Sequence, residues 1–414
     1  MLKKVLLWLA ITLLILSGCA PSLNNNEDEV VEKENDTKQP EKSIVPSYQL
    51  SDENYRTILP YRTSSSRGVI TNQVMNRMDI GEMETGLRRL SKAYYDPEKY
   101  FFEEGQYLTS DMLYKWLDRN LTKDQVEDAL NKRVEQIEKS GKEVDEEDKE
   151  AIRKELQLGL NPAIADDESK KQQKENPKYL THILEHNFLK KNEDNTVELI
   201  GASIGIAMKS DYAFQTEIGG PTYHKKIDKK TMLKKGKQIT QTVLERVRKI
   251  DGMSDIPIMF ALYREEEQGS PVPGSYVAKT QVSGGDMTIG DWETVNEENI
   301  LFPSDEGEKK YYDQQQLIND FSNKIQEYFP NYVGVIGEGF YVNEELQKLT
   351  LEIPLEFFGK GEVIGFTQYT YGLIQEMFQN YYELEVKIKT NKQMESVIYR
   401  DAGDKDPVVH IFDK

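Results

Sequence analysis

The chain has 414 residues and a formal charge of −19, from 72 Asp and Glu against 53 Lys and Arg. That excess of acid argues against nucleic acid as a partner, because phosphate binding needs concentrated positive charge. A supply of 23 Tyr and 14 Phe excludes a wholly disordered chain.

Residues 1–18 read as a secretory signal peptide. Lys3 and Lys4 give a basic opening, Val5 to Leu16 is apolar apart from Thr12, and Ser17 and Gly18 are small. An apolar run of about a dozen residues falls short of the roughly 20 that a spanning helix needs. Cys19, the sole cysteine, follows directly. Leu16-Ser17-Gly18-Cys19 resembles the lipobox of bacterial lipoprotein precursors. The resemblance implies that lipoprotein-processing enzymes attach a diacylglyceryl group to the Cys19 thiol and cut before it. The mature chain is then expected on the extracellular face of the cell membrane, held by a lipid anchor, with a charge near −21 once Lys3 and Lys4 are lost (−19 minus 2). Two acyl chains give stable anchoring where one is marginal. A lone cysteine also leaves the fold without a disulfide framework.

Residues 19–47 lack aromatics and are rich in Asn, Glu and Lys. They are expected to form a disordered acidic tether, since such a segment cannot bury enough surface to offset its ordering entropy. Residues 48–195 read as a mostly helical region. Val74, Met78, Leu87 and Leu90 fall on helical spacing, and Thr109 or Ser110 can cap "DMLYKWLDRNL". Thr122 with Gln125 three residues on forms a capping box. "GKEVDEEDKEAIRKELQLG" suits a solvated helix, and "ADDESKKQQKENPK" a mobile loop.

Residues 196–414 alternate with period two in several places, the mark of half-buried strands. Ile200 to Met208, Ile256 to Leu262, Leu349 to Leu355 and Tyr382 to Ile388 are the clearest. Helical spacing lies between them, as in Ile239, Val243, Val247 and Ile250, or Ile318, Phe321 and Ile325. The predicted class is α+β: a helical N-terminal region, then a mixed or antiparallel sheet with helices packed on one face. Leu199–Ser210, Met232–Ile250 and Ile256–Arg264 run strand, helix, strand. Leu349–Phe357, Glu362–Tyr381 and Tyr382–Thr390 do the same, which suggests a weak internal repeat.

Three constellations could carry chemistry. "HILEH" places His182, Glu185 and His186 so that a helix would bring both imidazoles to one face with a base beside them, as in some zinc peptidases. A zinc-dependent hydrolase is thus the alternative function. The favoured reading is two partly exposed histidines on an amphipathic helix, with no metal and no catalytic residue. "VSGGDMTIGDW" and "VGVIGEGFY" hold close glycines without the spacing or lysine of a phosphate loop, so turns and a sheet bulge are expected and no cofactor is predicted. "YTYGLIQEMFQNYYELEV" and "YYDPEKYFFEEGQYL" are dense in Tyr and Phe. These suit either a Tyr-rich core or a groove for a protein, peptide or glycan ligand.

"RTSSSRGVITNQVMNRMDIGEMETGLRRLSKAYYDPEKYFFEEGQYLT", residues 62–109, resembles the opening of the CamS family of Firmicute lipoproteins. "YLTHILEHNFL" and "ASIGIAM" continue the likeness along the mature chain. Members are called sex pheromone precursors. The resemblance implies that the cut signal peptide is trimmed to a short apolar peptide sensed by plasmid-bearing enterococci, here Thr12-Leu13-Leu14-Ile15-Leu16-Ser17-Gly18. It carries over no catalytic residue, so the mature part is expected to be a binding or interaction module at the membrane–wall interface.

Overall fold

The computed structural model describes residues 29–33, 41–45, 50, 54–74, 76–329, 332–356 and 359–413. The expectations for residues 1–18 and for Leu16, Ser17, Gly18 and Cys19 lie outside the described residues. In chain order the elements begin with strands β1 (Glu29–Lys33), β2 (Glu41–Val45) and β3 (Arg56–Thr57). Helices α1 (Arg67–Gln73) and α2 (Arg77–Ser91) precede β4 (Phe101–Glu104). Then come α3 (Ser110–Leu117), α4 (Lys123–Lys139), α5 (Glu146–Leu156) and α6 (Lys170–Glu175). Strands β5 (Leu180–Lys191), β6 (Val197–Met208), β7 (Asp211–Phe214) and β8 (Tyr223–Lys226) lead into α7 (Lys229–Val247). After β9 (Ile258–Arg264), β10 (Ser275–Val282), β11 (Glu293–Thr294) and β12 (Glu297–Phe302) stand α8 (Asp305–Lys310) and α9 (Tyr312–Gln326). The chain finishes with β13 (Ile336–Val342), β14 (Glu345–Pro354), α10 (Lys360–Met377), β15 (Glu383–Lys389), β16 (Met394–Arg400) and β17 (Val408–Ile411).

The chain divides into two compact units. The smaller holds residues up to 62 with 96–103 and 189–198. In it β1 and β2 pair antiparallel, Glu29 opposite Val45, and β3 runs parallel to β4. Ile44 and Leu59 exchange backbone hydrogen bonds of 2.6 and 2.8 Å. Two strands therefore stand within the stretch expected to be an unstructured tether. Val30, Val31, Ile44 and Val45 are β-branched and suit extended backbone, which the overall polarity of the segment hides.

The larger unit holds the other residues and carries two sheets with separate cores. One has β11-β10-β9-β6-β5 in that order, and the other β12-β13-β14-β15-β16-β17. Each is built around a strand–helix–strand crossover at the predicted places. β6 passes through α7 to the parallel strand β9, with Ala202 opposite Ile258. β14 passes through α10 to the parallel strand β15, with Leu349 opposite Leu384. Beside β9 lies antiparallel β10, and antiparallel β13 and β16 flank β14 and β15. Ala202 to Met208 is buried without interruption, as a central parallel strand covered on both faces requires. β15 alternates buried Leu384, Val386 and Ile388 with partly exposed Glu and Lys, so one face stays wet.

Helix α7 buries Met232, Gly236, Ile239, Val243 and Val247 along one stripe. A Cβ on Gly236 would stand 3.1 Å from Leu262, so glycine lets the helix approach β9 closely. In the second core Phe321 of α9 meets Phe378 edge-on, with centroids 5.0 Å apart. Arg89 of α2 is a polar tie within this unit. Its guanidinium donates to Glu297 at 3.1 and 2.9 Å and to Glu82 at 2.7 Å, and lies 4.2 Å from the Phe340 ring. The predicted caps are present: the Thr109 hydroxyl accepts from Met112, and Thr122 and Gln125 close the capping box. α5 buries no residue, as its charge predicts. The predicted loop at 165–178 contains α6, capped by Ser169.

Candidate functional site

The "HILEH" segment lies on strand β5, not on a helix. Four residues of strand separate His182 and His186 by roughly 13 Å, so one metal ion cannot bridge them. Both are about 2% exposed, not partly exposed as expected. The apolar spacing that mimics a helix comes from a strand buried on both faces. Glu185 has a structural role there. Glu185 accepts backbone N–H groups at the mouth of α3: Gln106 and Tyr107 at 3.2 Å, and Leu108 at 2.7 Å. Burial raises the Glu185 pKa, and these bonds oppose the rise. Burial pushes the His182 and His186 pKa values down to about 3, so both rings are neutral. Among the described residues no group of three or more His, Cys, Asp or Glu is placed to hold a metal.

An open concave site lies elsewhere, in the larger unit, and is lined by tyrosine. It encloses about 830 Å³ between the α8–α9 elbow, the β13–β14 hairpin and Tyr381. Tyr311 is the elbow itself. It ends α8 at φ −135° and ψ 55°, and α9 begins at the next residue. The Tyr311 hydroxyl donates to Glu298 at 2.5 Å, and the Lys310 ammonium donates to the same carboxylate at 2.6 Å. Burial opposes ionisation of Glu298, but Lys310 and Tyr311 outweigh it and hold its pKa below the usual range. With its hydroxyl fixed, the Tyr311 ring stacks on Tyr341, centroids 3.8 Å apart and planes 18° apart.

Tyr341 is seated by glycine. On β13 the inward positions are Gly337, Gly339 and Tyr341. A Cβ on Gly339 would come within 2.8 Å of the Tyr341 ring and 3.0 Å of Phe302. The pairing with β14 also shifts between Phe340 and Tyr341, which is the bulge predicted for "GEGF". The Tyr341 hydroxyl is buried and has no hydrogen-bond partner among the described residues. Burial and the neighbouring Tyr311 keep it protonated.

Tyr381 is 63% exposed and meets Tyr382 edge-on at 4.9 Å. Tyr312, 56% exposed, completes the aromatic wall. The rim is polar, with Lys310, Asp313, Gln314, Glu344, Glu345 and Gln347. Three carboxylates to one ammonium make it a poor site for an anion. Glu344 sits at φ +68° in the tight turn between β13 and β14, after Asn343 at φ +52°. That turn favours glycine at its second position, so strained backbone is kept at the lip of the groove. Tyr381 falls in the Tyr-dense run that suited a core or a groove, but Tyr311, Tyr312 and Tyr341 were not read as site residues. Alternate glycines before a tyrosine in "GEGFY" were the available signal.

The family model for the CamS sex pheromone cAM373 precursor matches residues 61–406. The chain belongs to the CamS family. Among solved structures, the sex pheromone precursor of Lactobacillus salivarius subsp. salivarius UCC118 is similar to this CamS chain at 26% identity and a TM-score of 0.75. That likeness covers 89% of this chain and 98% of the other. The C-terminal domain of the staph-cAM373 precursor from Staphylococcus aureus is similar at 28% identity and a TM-score of 0.68, over 83% of this chain and 99% of that one. No curated protein matches the chain.

Proposed function

We propose that this CamS-family chain is a lipid-anchored surface protein that binds a neutral, hydroxyl-rich glycan in its tyrosine groove. The observation that carries the reading is the open 830 Å³ groove walled by Tyr311, Tyr312 and Tyr381 over the unpartnered Tyr341 hydroxyl. Exposed aromatic faces offer stacking to the C–H face of a sugar ring, and the Gln and Glu side chains of the rim can pair with its hydroxyls. The acidic rim disfavours an anionic polymer.

The test is a titration of the full chain with soluble β-1,4-linked N-acetylglucosamine oligosaccharides, followed by tyrosine fluorescence. Saturable binding that falls roughly tenfold in Tyr381→Ala is expected. Binding of a lysine-containing peptide in the same groove, with none of the oligosaccharide, would instead assign it to peptides.

The anchor rests on Leu16-Ser17-Gly18-Cys19. Cys19 is the lipid attachment point, and processing before it releases the fragment that contains Thr12 to Gly18, the candidate pheromone. Among the described residues no helix is long and apolar enough to cross a membrane. Cys19→Ala is expected to leave the membrane fraction, and an unchanged fraction contradicts lipidation. Mass spectrometry of the culture medium tests release of the heptapeptide.

A further inference from the structure

We infer that the β7–β8 hairpin and the exposed face of α7 form a docking surface for an anionic phospholipid bilayer. Residues 223–237 contain seven lysines and one Asp, a charge of +6 on a chain of −19. Lys225, Lys230, Lys234 and Lys237 are exposed, and no carboxylate lies within ion-pair distance of them among the described residues. Lys230, Lys234 and Lys237 are spaced i, i+4 and i+7, so they form one stripe, opposite the buried Met232, Gly236 and Ile239.

The acids near this face are already engaged or few. Asp228 caps α7 by accepting from Thr231 at 2.9 Å, Asp211 holds His224 at 2.5 Å, and Glu267 pairs with Lys226. The opposing charges are Glu217 at the hairpin tip, Glu298 facing Lys229, and Glu245 further along the exposed face of α7, which accepts from Gln241 at 3.0 Å.

Charge alone would fit any polyanion. The hairpin tip decides for a bilayer. Ile218 is 106% exposed, the most exposed of the large hydrophobic side chains among the described residues. Gly219 at φ +76°, then Gly220, carry the chain around beside it. β8 with its lysines follows, and only Ile227 and Asp228 separate it from α7. An aliphatic side chain held out beside a lysine stripe has no use on a soluble polyanion. On a bilayer it can enter the acyl boundary while the ammonium groups meet phosphate. The lysine stripe and Ile218 share no residue with the lining of the tyrosine groove, and the inference does not depend on acylation of Cys19.

The test is co-sedimentation of the full chain with vesicles of phosphatidylglycerol in phosphatidylcholine, against phosphatidylcholine alone, at low and high salt. Residues 1–18 are common to every variant and cancel in the comparison. The parent should prefer anionic vesicles at low salt. The triple variant Lys230→Gln, Lys234→Gln, Lys237→Gln should lose that preference by roughly a hundredfold, about fivefold per lysine. Ile218→Ser should bind roughly tenfold more weakly with its salt dependence intact. All four positions are exposed, so the variants should keep the parental melting temperature. Equal partition of the parent between the two vesicles overturns the inference. So does capture by soluble polyglycerol phosphate that is as tight as to vesicles and indifferent to Ile218→Ser.

Discussion

His182→Leu gives a quantitative test of how β5 is built. The imidazole is 2% exposed, and its Nδ1 has no hydrogen-bond partner among the described residues. Burial lowers its pKa from 6.5 to about 3. Between those values the unfolded chain takes up a proton that the native chain refuses, so stability is lost as pH falls below about 6.5. At pH 5 the loss is about 2 kcal/mol, from the one and a half pH units below the unfolded value. Leucine cannot titrate and leaves no polar atom unpaired, so at pH 8 the variant should match the parent within about 1 kcal/mol. Between pH 8 and pH 5 its stability relative to the parent should rise by about 2 kcal/mol. Urea unfolding of both proteins across that range measures the difference, in which the other titrating groups cancel. Parallel pH profiles would refute neutral burial. Stoichiometric zinc that stabilises the parent and not the variant would refute the structural role of the segment.

Three other substitutions probe the site and its supports. Glu185→Gln sets an amide N–H₂ against the Tyr107 and Leu108 donors and should cost about 3 kcal/mol in chemical denaturation; a neutral result contradicts the role given to that carboxylate. Gly339→Ala forces a methyl into Tyr341 and Phe302 and should cost about 1–3 kcal/mol while weakening ligand binding in the groove. Glu344→Gly removes left-handed strain of about 1 kcal/mol, part of which a looser unfolded chain takes back. A net gain of about half a kcal/mol in the free energy of urea unfolding is expected, together with a loss of groove affinity.

Much of the sheet architecture was legible because period-two stretches such as Leu349 to Leu355 and helical spacing such as Ile239, Val243 and Val247 reflect local burial. The two crossovers followed from their order along the chain. "HILEH" misled because a strand covered on both faces has no alternation, and its apolar residues 180, 183, 184, 188 and 189 happen to fall on helical spacing. What makes buried Thr181 and Glu185 tolerable is long-range: Thr181 donates to Glu265 at 2.8 Å, and Glu185 meets a loop about 80 residues earlier. β1 and β2 were missed because their valines are diluted among charged neighbours. The groove was half visible. Tyr381 lies in a Tyr-dense run, whereas Tyr311 and Tyr341 reach it from an elbow between helices and a bulged strand, which pattern alone does not bring together.

The tyrosine groove is proposed as a glycan site. A crystal structure of the full chain with a soluble N-acetylglucosamine oligosaccharide tests it most directly. A sugar ring is expected to stack on the Tyr381 and Tyr311 wall, with a hydroxyl within hydrogen-bond reach of Gln314 or Glu345. A groove left empty while the sugar binds elsewhere, or does not bind at all, would contradict it.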